Sequence, residues 1–326
     1  MLRVMRPIRI AFSDYCAGAR PQDASYLIPL RASRPFEFVD FAEADLLIYS
    51  DFGERHWGFK GLKVYVTGEN MLPDFGQCDL AFTPFESPDE PRAIRMPYYA
   101  QMLPGLGSLV RPPDYDARTL LDRGRFCSFV ASNPRGPERN AFFRALRRRK
   151  PVDSAGRHFN TTGTRLTDKH AFLLGYRMNL AFENTRSSGY ITEKLVEPLL
   201  AGCVPVYWGA PDVARDFNPA CMINVTDFPD FDAAIDHILA VDADPAARLA
   251  ILSAPPFREN VEPACLAPSY MADHIIKLID SGAKPGRRSY RHRRLREHVY
   301  GSSLRQSWVS LKCRIEGLAW KLGARY

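Results

Sequence analysis

A strand-length apolar run, a small polar loop, a helix and a second apolar run follow one another between residues 178 and 208. The first run is Met178-Asn179-Leu180-Ala181-Phe182, and the loop spans Asn184 to Gly189. The helical pattern covers 191–201 and stops at Gly202, after which Val204 to Trp208 is apolar again. Two strands joined through a helix cannot close as a hairpin; they lie parallel, with the helix crossing one face of the sheet. Strands of a parallel sheet are covered on both sides, which is why such runs are continuously apolar. The unit therefore commits this region to a layered α/β fold.

The same alternation recurs along the chain. Short apolar or β-branched runs bounded by Gly, Pro, Asp or Ser predict strands at Ile8–Phe12, Phe36–Val39, Asp45–Tyr49, Lys63–Thr67 and Asp79–Phe82. A Pro- and Gly-rich stretch from Met102 to Asp114 reads as a linker. A second series predicts strands at 126–130, 177–182, 204–207 and 221–225, with helices at 138–150, 191–201, 229–240, 244–252 and 267–281. With 326 residues and 46% hydrophobic content the chain can bury two cores. Gly105-Leu-Gly107 has no strand before it and no third glycine after it, so it does not read as a dinucleotide loop.

Seven cysteines, an odd number with no Cys-x-x-Cys pair, argue against a disulfide framework or a zinc knuckle and suit a reducing cytoplasm. The opening MLRVMRPIRIAFSDY reads as a lead-in to the first strand rather than a signal peptide. The net charge is +7, but Ser281 to Tyr326 holds twelve Lys and Arg against two Glu, a balance of +10 that leaves −3 for the first 280 residues. Within this tail Leu304, Trp308, Leu311, Ile315, Leu318 and Leu322 form one apolar stripe at helical spacing, preceded by the basic run Arg287 to Arg296. Such a helix either docks on the protein's own core or lies on an anionic membrane surface, in keeping with a cytoplasmic protein at the inner face. No stacking platform accompanies the basic run, which argues against a nucleic-acid arm.

The loop after Phe182 lies where ligands of open α/β sheets bind, beyond the carboxyl end of a strand. The helix that follows offers unpaired N–H groups and a positive dipole end, which suit phosphate. Lys194 adds a point charge, Glu193 can accept hydroxyls, and Tyr190 places a ring and a phenol at the entrance. A nucleoside diphosphate has matching parts. An ordinary exposed helix start would explain Glu193 and Lys194 equally well, because adjacent helical residues do not face each other.

Phe182-Glu-Asn-Thr185 followed by Gly189-Tyr-Ile-Thr-Glu-Lys194 resembles the signature of the α1,3/4-fucosyltransferases, glycosyltransferase family ten, and most of all its soluble bacterial members. Val204-Pro-Val-Tyr-Trp-Gly209, Ala214 to Pro219, Phe126 to Pro134 with Arg139 to Phe142, Val152 to Arg157 and Val66-Thr-Gly-Glu-Asn70 match as well. The similarity covers about residues 60 to 280 and is thin at both ends.

The resemblance implies a GT-B fold, two Rossmann-like domains facing a cleft, here 1–115 for acceptor and catalytic base, 116–285 for the donor and 286–326 as the basic amphipathic tail. It implies inverting transfer of L-fucose from GDP-fucose to a GlcNAc-containing glycan, with no cofactor. By position Glu69 would be the general base. Arg139 and Lys194 would neutralise the diphosphate, while Tyr190, Glu193, Glu183, Asn184 and Arg157 would contact or shape the donor site. Asn70 and Glu86 would meet the acceptor. No metal is implied: Asp230-Phe-Asp232 and Asp242-Ala-Asp244 read as helix openings where Asp caps the backbone. Another nucleotide sugar as donor, or an inactive glycan- or membrane-binding relative, stand as alternatives.

Overall fold

Each series of apolar runs closes into its own all-parallel sheet. The computed structural model describes residues 6–102, 105–134, 136–163 and 166–286. In the first unit the elements are β1 (Ile8–Ser13), α1 (Leu27–Ser33), β2 (Phe36–Phe38), β3 (Leu46–Tyr49), β4 (Leu62–Val66), β5 (Leu80–Thr83) and β6 (Ala93–Arg95). The strand order is β2-β1-β3-β4-β5-β6. Ile10 pairs with both Phe38 and Leu46, and Tyr49 pairs with Tyr65. One face of this sheet packs Ala11, Leu47, Tyr49, Tyr65 and Ala81 against Phe59 and Cys78.

The second unit contains α2 (Tyr98–Met102), β7 (Arg125–Phe129), α3 (Pro137–Arg149), β8 (Val152–Ser154), α4 (Lys169–Leu173), β9 (Tyr176–Phe182), α5 (Glu193–Leu200), β10 (Val204–Trp208), β11 (Ile223–Asn224), α6 (Phe231–Ala243) and α7 (Pro245–Ser253). Its strand order is β11-β10-β9-β7-β8. Side chains alternate across the strands. Met178, Leu180, Phe182, Val204 and Val206 therefore join Phe142, Phe143 and Leu146 of α3 and Ile235 and Ile238 of α6 in one core. Ala181 and Tyr207 face the other side, with Leu195, Val196 and Leu199 of α5.

The chain divides into units otherwise than the sequence suggests: Pro97–Leu266 forms the second unit, and the described residues 6–96 and 267–286 form the first. The last helix among the described residues, α8 (Tyr270–Asp280), packs against α1 and β5 of the first unit, His274 meets Phe82 edge-on, and Tyr270 Oη donates to the Arg95 carbonyl. The Pro- and Gly-rich stretch is not a free linker. Leu106 and Leu109 are buried beside α5, and Asn260 exchanges two 2.8 Å hydrogen bonds with the backbone of Arg111. The apolar stripe at 304–322 lies outside the described residues. Among those described, no helix is long and apolar enough to cross a membrane.

Candidate active site

In each sheet the order reverses beside its first strand, between β1 and β3 in one and between β7 and β9 in the other. Crevices at such reversals, outside the carboxyl ends of the strands, are where open α/β sheets bind ligands. The second sheet places Ala131 to Asn133 and the start of α3 beyond β7, and Glu183-Asn184 beyond β9. Arg139, in the first turn of α3, is buried, with 3% of its surface exposed. Its guanidinium donates to Asn184 Oδ1 at 2.8 Å and to the Asn133 carbonyl. Gly136, at φ 131°, lets α3 start tight against it: a Cβ there would come within 3.2 Å of the guanidinium. Burial holds the Arg139 pKa below its ordinary value.

Glu183 is fully buried and accepts from Thr192 N–H at 2.7 Å and Thr192 Oγ1 at 2.8 Å. Thr192 in turn caps α5, accepting from the Lys194 N–H. Lys194 Nζ lies 3.0 Å from Glu193 Oε1, 3.0 Å from Thr192 Oγ1 and 3.6 Å from Glu183 Oε2. Burial disfavours the ammonium, but the Glu183 and Glu193 carboxylates outweigh it and raise the Lys194 pKa. Burial pushes the Glu183 carboxyl up despite Lys194. Burial also works against Glu193, yet Lys194 draws its pKa down. Gly209 closes the floor: a Cβ there would lie 2.4 Å from Tyr207 Oη and 2.6 Å from Glu183 Cγ, so only glycine fits. Tyr190 is buried, behind a turn whose Gly189 N–H donates to Asp212 Oδ1 at 2.7 Å.

Arg139 and Lys194 thus bracket one dipeptide, Glu183-Asn184, from two sides. The sequence named these four residues together with Glu193, but not Thr192, whose hydroxyl joins the cap to both Glu183 and Lys194. A Thr before a helical Glu-Lys pair is an N-cap signal that could have found it. Arg157 is exposed beyond β8 and makes no hydrogen bond or ion pair among the described residues. Asp230 and Asp244 cap α6 and α7 by accepting from the N–H groups of Ala233 and Ala246, each at 2.8 Å. Asp242 is held by Arg177 and Lys150.

In the first unit, Glu69 and Asn70 follow β4 and Glu86 follows β5, all at carboxyl ends. Glu69 and Glu86 are exposed and Asn70 is half-buried. The Glu69 N–H donates to Thr67 Oγ1 at 3.0 Å, and its carbonyl accepts from the Met71 N–H at 2.8 Å.

Residues 122–250 match the model of the glycosyltransferase family 10 (fucosyltransferase) C-terminal region, and residues 10–102 that of the α-(1,3)-fucosyltransferase FucT N-terminal domain. The chain belongs to the family 10 fucosyltransferases. It is 39% identical over 207 residues to the α-(1,3)-fucosyltransferase FucT of Helicobacter pylori, a match covering 54% of this chain and 43% of that protein. A putative fucosyltransferase of Acanthamoeba polyphaga mimivirus is 27% identical over 143 residues, covering 40% of this chain and 24% of that one. The chain matches less than half the length of these curated relatives. A crystal structure of an α1,3-fucosyltransferase with GDP-fucose is similar at a TM-score of 0.71 and 28% identity, covering 86% of this chain and 92% of the other. The family 10 models fall on the two parallel sheets, one on each.

Proposed function

We propose that the chain is an inverting α1,3-fucosyltransferase that moves L-fucose from GDP-fucose to the 3-hydroxyl of a GlcNAc residue in a glycan. The observation that carries this reading is the pair Arg139 and Lys194 around Glu183-Asn184 at the strand-order reversal of the second sheet, in a chain of this family. The relatives named α1,3-fucosyltransferase, one of them holding GDP-fucose, support the donor and the bond. Arg139 and Lys194 take the diphosphate, the first through its planar fork and the second as a point charge. Tyr190, Glu193, Asn184 and Arg157 contact nucleotide or sugar, and Glu183 shapes the loop.

The chemistry follows from the donor. The sugar is β-linked to GDP, and displacement from the opposite face gives an α-fucoside. The acceptor oxygen bonds the anomeric carbon while its proton passes to the Glu69 carboxylate. The bond from the anomeric carbon to the phosphate oxygen breaks, and its electron pair leaves with GDP. Fixed cations at the diphosphate stabilise that growing charge, so no metal is required by the step. Asn70 and Glu86 stand on the acceptor side of the reading. The tail beyond residue 286 serves as a peripheral contact with anionic membrane, and the reaction belongs in the cytoplasm, which the free thiols of six described cysteines suit.

The deciding experiment mixes the purified protein with GDP-fucose, excess EDTA and a small acceptor panel: LacNAc, its β1,3 isomer and a GlcNAc-terminated N-glycan core. GDP release and product mass are read together. A fucosylated product is the expected result. Absence of GDP release together with absence of GDP binding by calorimetry overturns the reading, and turnover of UDP- or GDP-mannose donors instead would reassign the sugar.

A further inference from the structure

Thr67 is the last residue before the Gly68-Glu69 turn, and its side chain is fully buried. Its hydroxyl donates to Asp51 Oδ2, just beyond β3, accepts the Glu69 N–H at 3.0 Å and lies 3.4 Å from the Glu69 carbonyl oxygen. The other Asp51 oxygen, Oδ1, accepts from Tyr65 Oη. Tyr65 in β4 and Thr67 just past its end are two apart, and both reach the same carboxylate. Parallel pairing of Tyr49 with Tyr65 carries β3 and β4 forward in step, which delivers Asp51 opposite both. The carboxylate is acceptor-only and therefore fixes which way each hydroxyl hydrogen points. With its hydrogen committed to Asp51, the Thr67 oxygen is left with lone pairs for the Glu69 N–H. The Met71 N–H then closes the turn on the Glu69 carbonyl at 2.8 Å.

We propose that Asp51 and Thr67 are positioning residues that set the direction of the exposed Glu69 side chain, through the chain carboxylate–hydroxyl–N–H, and so determine turnover at a carboxylate they do not touch. The inference rests on the reading of Glu69 as the base. Its physical content is that a side chain on a loop takes its direction from the backbone beneath it. Here that backbone is tied to a buried hydroxyl and an anion on the neighbouring strand. A general base must lie within hydrogen-bond reach of the proton it takes, and small displacements cost rate steeply.

The test compares Thr67→Val, Thr67→Ser, Tyr65→Phe and Asp51→Asn with wild type and Glu69→Gln. It uses saturating GDP-fucose and the acceptor the panel selects. Turnover, donor KM, GDP stoichiometry by calorimetry and melting temperature are measured for each. Thr67→Val and Asp51→Asn are expected to lower kcat about 10-fold or more with donor KM and GDP stoichiometry unchanged. Thr67→Ser, which restores the hydroxyl, is expected to restore kcat. Tyr65→Phe removes a hydrogen bond from the same carboxylate but leaves the arm to Glu69, so it is expected to cost less than about threefold. If Thr67→Val and Tyr65→Phe lose kcat equally, in step with their melting temperatures, the contacts are structural and the proposal falls. If Glu69→Gln keeps wild-type turnover, the base assignment falls first. An inactive Glu69→Gln beside a fully active Thr67→Val sinks the positioning role alone.

Discussion

Arg139 and Lys194 carry the same sign but are held in opposite ways. Arg139 donates to two neutral oxygens, Asn184 Oδ1 and the Asn133 carbonyl, whereas Lys194 sits between the carboxylates of Glu183 and Glu193. Arg139→Lys keeps the charge and loses the fork. It is expected to weaken GDP binding by about 10- to 100-fold, the equivalent of ~1.5–3 kcal/mol for charge-assisted bonds, and to lower the melting temperature too, since the bonds to Asn184 and Asn133 go with the fork. Calorimetry against GDP checks it. Lys194→Ala is expected to weaken GDP binding and to destabilise the fold as well, by on the order of 3 kcal/mol, because it strands the buried Glu183 charge. The sign with pH follows. Glu183 already has a raised pKa, and losing Lys194 raises it further. A carboxyl whose folded pKa exceeds its unfolded one favours the fold below the unfolded pKa and loses that contribution as pH rises through the folded pKa. The melting-temperature deficit of Lys194→Ala is therefore expected to be smaller in mildly acidic buffer than at neutral pH. Sequence order alone showed Lys194 as a cation at a helix start. Its pairing with Glu183 was not legible, because it depends on how the loop after β9 folds back onto the start of α5.

At the scale of elements, Asp242 ties three together. It ends α6, and its carboxylate, 1% exposed, receives Arg177 of β9 at 2.7 Å and Lys150, the cap after α3. Burial alone would raise its pKa, but the hydrogen bonds from Arg177 and Lys150 bring it below the ordinary value. A depressed folded pKa contributes stability above the unfolded pKa, and that contribution is lost as pH falls through the folded one. Asp242→Asn is expected to cost on the order of 3 kcal/mol at neutral pH, with the gap to wild type narrowing toward about pH 3. Chemical denaturation at both pH values measures it. Arg177 lies at the amino end of β9 and the candidate site at the carboxyl end, so GDP affinity is expected to stay unchanged. The long strands and helices were legible because their apolar runs are strong. The exceptions have local causes. The strand expected at 221–225 shortens to Ile223–Asn224, which pairs only with Val206 and Tyr207. At Pro205, which has no N–H to give, β10 gains no partner on that side. The three-residue strands β6 and β8 and the short helix α1 are too brief for periodicity to mark. The supposed linker misled because its prolines and glycines conceal Leu106 and Leu109, two buried anchors spaced one 3₁₀ turn apart.

For the whole molecule, the two-sheet plan and the family were legible because several separate motifs agreed, each modest alone. The closing of the first unit by α8 was not, since the helix's amphipathic pattern says only that it packs and not on which sheet. That closure sets where the chain can be cut. Arg34 pairs with Asp280, and the Gly286 N–H donates to Asp79 Oδ1 at 2.8 Å, so the first unit uses the chain as far as residue 286. Removing 287–326 takes away eleven Lys and Arg and two Glu, a balance of +9, and leaves −2 on a chain that keeps the bonds and packing described above. The truncated protein is expected to match the full chain in melting temperature and in turnover on a soluble acceptor, and to lose sedimentation with vesicles rich in phosphatidylserine. Each basic residue near such a surface contributes about 1 kcal/mol, and added salt weakens the attraction, so full-length binding is expected to fall steeply as ionic strength rises. A lowered melting temperature with vesicle binding intact would instead make the tail part of the protein's own core.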